Sequence, residues 1–104
     1  MTLGDIRALL VQADPGCRHY FSAEEQEDYS YWQEGVRLPF TADDEHLEAW
    51  AFTVHRFTRS EYDPTVSRIT ETLDACPEVA VRYQGGVFER ETGYIHHIWD
   101  CEGY

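Results

Sequence analysis

Basic side chains are scarce in this 104-residue chain: 8 Lys and Arg stand against 20 Asp and Glu, for a formal net charge of −12. Free nucleic acid and anionic membranes are themselves polyanions, so that balance argues against both as partners. A basic protein surface, a cation, or a path that DNA must pass without adhering stays open. Cysteine is sparse too. Cys17, Cys76 and Cys101 make an odd number with no C-x-x-C pair, so no disulfide framework is encoded and a reducing cytoplasm fits better than a secreted setting. The first residues, Met-Thr-Leu-Gly-Asp-Ile-Arg, carry neither a basic region nor a long apolar run. No signal peptide or membrane span is expected. The chain also lacks an internal repeat, a low-complexity tract and a linker, and its hydrophobic content of 42% is enough for one core. Residues 1–104 therefore read as a single folded domain.

The stretch around which the chain is organised is Leu47 to Phe57. It is rich in aromatic and β-branched residues and contains no Gly or Pro, which predicts a long central strand. Alternation puts Trp50, Phe52 and Val54 on one face, and Leu47, Ala49, Ala51, Thr53, His55 and Phe57 on the other. Neither face is fully polar, so the strand is expected to be covered on both sides, by helices on one and by a loop or another subunit on the other. Asp63-Pro64 then supplies an N-cap and a first-turn proline, with Val66, Ile69 and Leu73 at helical spacing behind. A second helix is predicted from Pro64 to Ala75, stopped by Cys76-Pro77.

The remaining elements follow in order. Leu3, Ile6, Leu9, Leu10 and Ala13 share a helical face, Thr2 and Asp5 are spaced as a capping box, and Asp14-Pro15-Gly16 closes the segment, so the first element is a short amphipathic helix. Cys17 to Phe21 is a brief apolar, aromatic stretch. The acidic run Glu24 to Asp28 reads as a solvated loop. Tyr29 to Gln33 reads as a strand, with Val36 to Phe40 extending it beyond a bulge at an edge, where Pro39 is tolerated. Val79, Val81 and Tyr83 alternate as a strand up to a turn or bulge at Gly85-Gly86, and Val87 to Arg90 pairs with Tyr94 to Trp99 as a hairpin. Asp100 to Tyr104 reads as a tail that either frays or reaches a neighbour. The order predicts an α+β domain: an antiparallel or mixed sheet of about four to five strands with two helices packed on one face.

Local chemistry is thin. Of the five histidines, His96 and His97 are adjacent; on a strand they point to opposite faces and cannot chelate one ion together. No H-x-x-x-H, H-E-x-x-H or C-x-x-C spacing supports a metal. No signature marks any cysteine as a nucleophile, and the paired acids lie in expected loops without an apolar pocket to tune them. Gly85-Gly86 lacks the further glycines and the Lys of a phosphate loop. Trp32, Trp50 and Trp99 have no basic groove beside them to hold a nucleic-acid backbone. The residues predict no catalytic, cofactor-binding or metal-binding site, and a non-enzymatic domain.

The order of parts carries a resemblance. An N-terminal helix, an aromatic strand, Asp43-Asp44-Glu45-His46 leading into a long strand that ends in Phe57-Thr58-Arg59-Ser60-Glu61-Tyr62, a helix, and then Phe88-Glu89-Arg90-Glu91-Thr92-Gly93-Tyr94-Ile95-His96-His97 resembles the small tail terminator proteins, also called tail completion or head-tail joining proteins, of long-tailed phages and prophages. The likeness spans nearly the whole chain. It implies a virion protein assembled in the host cytoplasm, with a ring of about six copies capping the head-proximal end of the tail tube. Its partners would be copies of itself, the tail tube protein and the head connector protein, with DNA only a passing polymer. Trp50, Phe52, Val54, Phe57, Tyr94, Ile98 and Trp99 are the interface candidates under that reading. Asp43, Asp44 and Glu45 would face the lumen and repel DNA.

Two other classes compete. An acidic inhibitor, such as a DNA mimic or an immunity-type protein, would use the charge of −12 as its working surface; it should array carboxylates along helices or one sheet face, whereas here they cluster mainly in expected loops. A small enzyme would need a constellation that the spacings do not supply.

Overall fold

The computed structural model describes residues 1–20, 27–39 and 48–104. Seven elements follow in the order α1 (Leu3–Ala13), β1 (Arg18–His19), β2 (Tyr29–Arg37), β3 (Trp50–Thr58), α2 (Pro64–Ala75), β4 (Val79–Phe88) and β5 (Ile95–Gly103). The strands form one mixed sheet in the order β1-β2-β3-β5-β4. The β1–β2 pair is parallel and the other three pairs are antiparallel. The fold is thus α+β, with two helices and a five-stranded sheet among the described residues, as the sequence pattern predicts.

Local chemistry sets the helix ends. The Thr2 hydroxyl accepts from the Asp5 N–H at 3.1 Å while the Asp5 carboxylate accepts from the Thr2 N–H at 2.8 Å, so two of the N–H groups left over at the start of α1 are satisfied reciprocally. Asp63 caps α2 by accepting from the Thr65 N–H at 3.0 Å, with Pro64 in the first turn where a missing N–H costs nothing. Both helices lie on the same face of the sheet. Ile6, Leu10 and Ala13 of α1 and Ile69 and Leu73 of α2 join Trp32, Phe52, Val54, Trp99 and Cys101 in one buried core. α2 is also tied down by a polar link, since the Trp99 Nε1–H donates to the Thr70 hydroxyl at 3.0 Å.

Several sequence expectations change in the structure. The stretch after Cys17 contains a short parallel strand, β1, for which no periodicity gave notice. β2 does extend past Gly35 across an irregularity between Glu34 and Arg37, as expected, but ends at Arg37. Of the turn or bulge expected at Gly85-Gly86 the structure forms the bulge, between Tyr83 and Gly86, so that one strand, β4, spans both segments expected to be separate; Gly85 adopts φ +89°, a left-handed conformation that suits glycine. The expected tail is strand. Asp100, Cys101, Glu102 and Gly103 pair with β3 on one side and β4 on the other, so a segment with little apolar content lies inside the sheet. The hairpin between β4 and β5 closes at Gly93 (φ +76°), whose N–H donates to the Glu89 carbonyl at 2.9 Å.

Among the described residues Arg56 is a buried cation, 9% exposed. Its Nε–H donates to Asp63 Oδ2 at 2.8 Å and its Nη1–H to Ser30 Oγ at 3.2 Å, and Nη1 lies 3.6 Å from Asp14 Oδ2. One guanidinium thereby joins the C-cap of α1, strand β2 and the N-cap of α2. Burial alone would raise the Asp63 carboxyl, but hydrogen bonds from Arg56 and the Thr65 N–H, with the Arg56 charge, outweigh it and hold the group below its ordinary range.

Candidate functional site: the uncovered sheet face

Alternation along β3 divides its side chains between two environments. Phe52, Val54, Arg56 and Thr58 are buried beneath the helices, whereas Ala51, Thr53, His55 and Phe57 are only half-buried on the opposite face. No described element covers that second face.

Cross-strand register builds a ladder there. Tyr29 of β2 stands opposite Phe57 of β3, Phe57 opposite His96 of β5, and His96 opposite Val87 of β4. The rings stack in sequence: Tyr29 on Phe57 at 4.8 Å between centroids and 14° between planes, then Phe57 on His96 at 4.0 Å and 17°. A second row sets Tyr31 on His55 at 4.5 Å and 10°, with Ile98 next in register. Rings that stack along the direction between strands must stand upright on the sheet, so their faces contact one another and their edges point outward.

The two rows meet through their histidines: His55 Nδ1 lies 2.8 Å from His96 Nε2, and His55 Nε2 lies 3.0 Å from the Thr53 hydroxyl. When the His55 Nε2–H donates to Thr53, Nδ1 is left as an acceptor for the Nε2–H of His96. Burial, helped by the charge His96 would carry and opposed by Asp100, pushes His55 down to about 4. Burial also lowers His96, against the pull of Glu89. His97 points to the helix side, where its Nδ1 accepts from the Tyr83 hydroxyl at 2.6 Å.

Away from the ladder the same face becomes a shallow groove of about 600 Å³, floored by Ala51, Thr53 and Ala80 and bordered by Arg82, Asp100 and Glu102. The uncovered face thus has a ring-edged half and a small-residue, polar half. At the sheet edge near β1 lies a separate cluster. His19 is sandwiched between Tyr20 at 4.0 Å and Trp32 at 3.9 Å, and the Glu34 carboxylate bonds both His19 Nε2 and the Tyr20 hydroxyl.

The candidate interface residues divide on this geometry. Phe52, Val54 and Trp99 lie in the protomer's own core at 2% exposure or less; they are fully occupied by α1 and α2 and have no surface to offer a neighbour. Trp50 is half-buried and packs against the same core. Tyr94 is 4% exposed, held edge-on to Tyr29 and Phe57 with the Arg59 guanidinium 4.0 Å over its ring. Phe57 and Ile98 do lie on the uncovered face. Tyr29, Tyr31, His55, His96 and Val87 complete it and were not singled out by sequence, because only strand register brings them together. Asp43, Asp44, Glu45, His46 and Leu47 lie outside the described residues, as do positions 24–26 of the acidic run.

Burial, with a carboxylate nearby, pushes Cys17 and Cys101 up to about 12, and burial followed by the Glu78 hydrogen bond raises Cys76. Among the described residues, no helix is long and apolar enough to cross a membrane. No protein-family model matches the chain, and no curated protein matches it.

Proposed function

We propose that this chain is a structural assembly subunit of the tail-terminator type, which closes the head-proximal end of a phage tail tube as a ring and meets the head connector. The carrying observation is the sheet face that no described element covers. A ladder of ring edges beside a small-residue groove gives one subunit two unlike patches, and a closed ring is built from one patch of each copy meeting a different patch of the next. The order of sequence motifs supports the same reading. The charge of −12 suits a channel that DNA must traverse without adhering.

The test is assembly. Purified protein is followed by light scattering over a concentration and salt series, imaged by negative stain, and added to a polymerising tail tube protein. Rings of about six copies that arrest tube growth at one end are the expected result. A strict monomer that neither binds tube ends nor limits tube length overturns the reading.

A further inference from the structure

We propose that His55 and His96 form a two-imidazole binding site for a late first-row divalent cation, Cu²⁺ before Ni²⁺ or Zn²⁺, on the uncovered face of the sheet. The His55 Nδ1 to His96 Nε2 separation is 2.8 Å and the ring centroids are 5.1 Å apart. The facing nitrogens are thus 2.3 Å closer (5.1 − 2.8) than the ring centres, so the two rings present those nitrogens to each other. Two nitrogens bound at about 2.0–2.1 Å to one ion in neighbouring positions sit roughly 2.8–3.4 Å apart. The pair already has the spacing of a cis chelate. The lower end of that span belongs to the right angle of a square or octahedral ion, and this selects Cu²⁺ and Ni²⁺ over tetrahedral Zn²⁺.

Two surrounding features prepare the pair. Thr53 holds the far nitrogen of His55 at 3.0 Å, and a hydrogen bond at the second nitrogen is the usual means by which a ligating imidazole is oriented and its tautomer set. Tyr31 and Phe57 flank His55 and His96 as stacked walls, so each ring can tip toward solvent within its own plane to aim its lone pair at the ion. Among the described residues, no group of three or more His, Cys, Asp or Glu is arranged to hold an ion; water completes the coordination. The site does not depend on the tail-terminator reading.

Untagged protein titrated with Cu²⁺ near pH 7.5 should bind one ion whose electron paramagnetic resonance spectrum reports two imidazole nitrogens. H55Q and H96Q should each weaken binding at least ~10-fold, T53V should weaken it by a smaller factor, and H97Q, on the opposite face, should leave it unchanged. In the wild-type protein, traces of Cu²⁺ should broaden the ring proton resonances of His55 and His96 before those of His19 and His97, a readout that requires no variant to fold. A spectrum with one nitrogen, equal broadening of all histidines, or undiminished affinity in the H55Q/H96Q double variant overturns the proposal.

Discussion

Arg56→Met tests the ion cluster that joins both helices to the sheet. Methionine preserves the length and apolar stem of the side chain but leaves Asp63 and Asp14 facing a cation that is no longer there. The Asp63 and Asp14 side chains are 8% and 16% exposed, so little water replaces the lost partner. Removing one member of a buried pair costs about 3–5 kcal/mol, and the partial opening at Asp14 places the expected loss near ~3 kcal/mol. In a urea melt at pH 7 this lowers the midpoint by about 1–3 M. The pH dependence carries a sign. Because the folded Asp63 value lies below its unfolded one, its contribution is present above the ordinary carboxylate pKa and is lost as pH falls through the folded value. Without Arg56, burial dominates and raises Asp63; once protonated it is no longer an unpaired charge. The gap between wild type and variant is therefore widest at pH 7 and narrows toward pH 4. D63N keeps an N-cap acceptor while removing the charge, so the double variant R56M/D63N should be more stable than the sum of the single losses by about 1–3 kcal/mol. A loss below about 1 kcal/mol for R56M at pH 7, or strict additivity in the cycle, refutes the reasoning.

Other outcomes follow from the same geometry. G86A would place a Cβ 2.9 Å from both the His97 ring and Ile95, and with His97 held by Tyr83 it should cost about 1–3 kcal/mol in thermal or urea unfolding; G103A, which chiefly meets the flexible Met1 side chain, should cost less. Because burial depresses His55 to about 4, the stability it contributes is full above the unfolded histidine value and drains away as pH falls toward 4. H55Q should flatten the stability-versus-pH curve in that window, and an unchanged slope would count against the burial assigned to the ring. A thiol reagent should modify half-buried Cys76 in the native protein and reach Cys17 and Cys101 only on unfolding; labelling of all three at one rate would contradict the core described above.

Helices were legible in the sequence because their determinants are local. Thr2 and Asp5, Asp63 and Pro64, and the apolar spacing from Leu3 to Ala13 each act within a turn or two, and α1 and α2 begin and end where those residues require. Strands were legible only in part. Alternation in β3 separated two faces correctly but did not say which one the helices cover, since Trp50, Phe52 and Val54 look no more buried than His55 and Phe57 when both rows are aromatic or branched. The choice depends on Arg56, whose pairing with Asp63 and Asp14 commits its row to the helix side. The pairing of His55 with His96 was invisible for a related reason. Metal-like spacing was sought along the chain, whereas the two imidazoles lie 41 residues apart and meet through register. β5 was cut short at Trp99 because Asp100 and Glu102 point away from the core, and acidic residues on a strand's outer row read as loop.

β5 is the last strand of the sequence and sits between β3 and β4, which bears on how the protein is made. Until residues 95–103 leave the ribosome, β3 has no partner on that side, β4 has no sheet to join, and the Trp99 side of the core is empty. The ring ladder is under the same constraint, because its rows take Tyr29 and Tyr31 from β2, His55 and Phe57 from β3, and His96 and Ile98 from β5. A nascent chain therefore acquires its ring-edged face in the same event that completes its core.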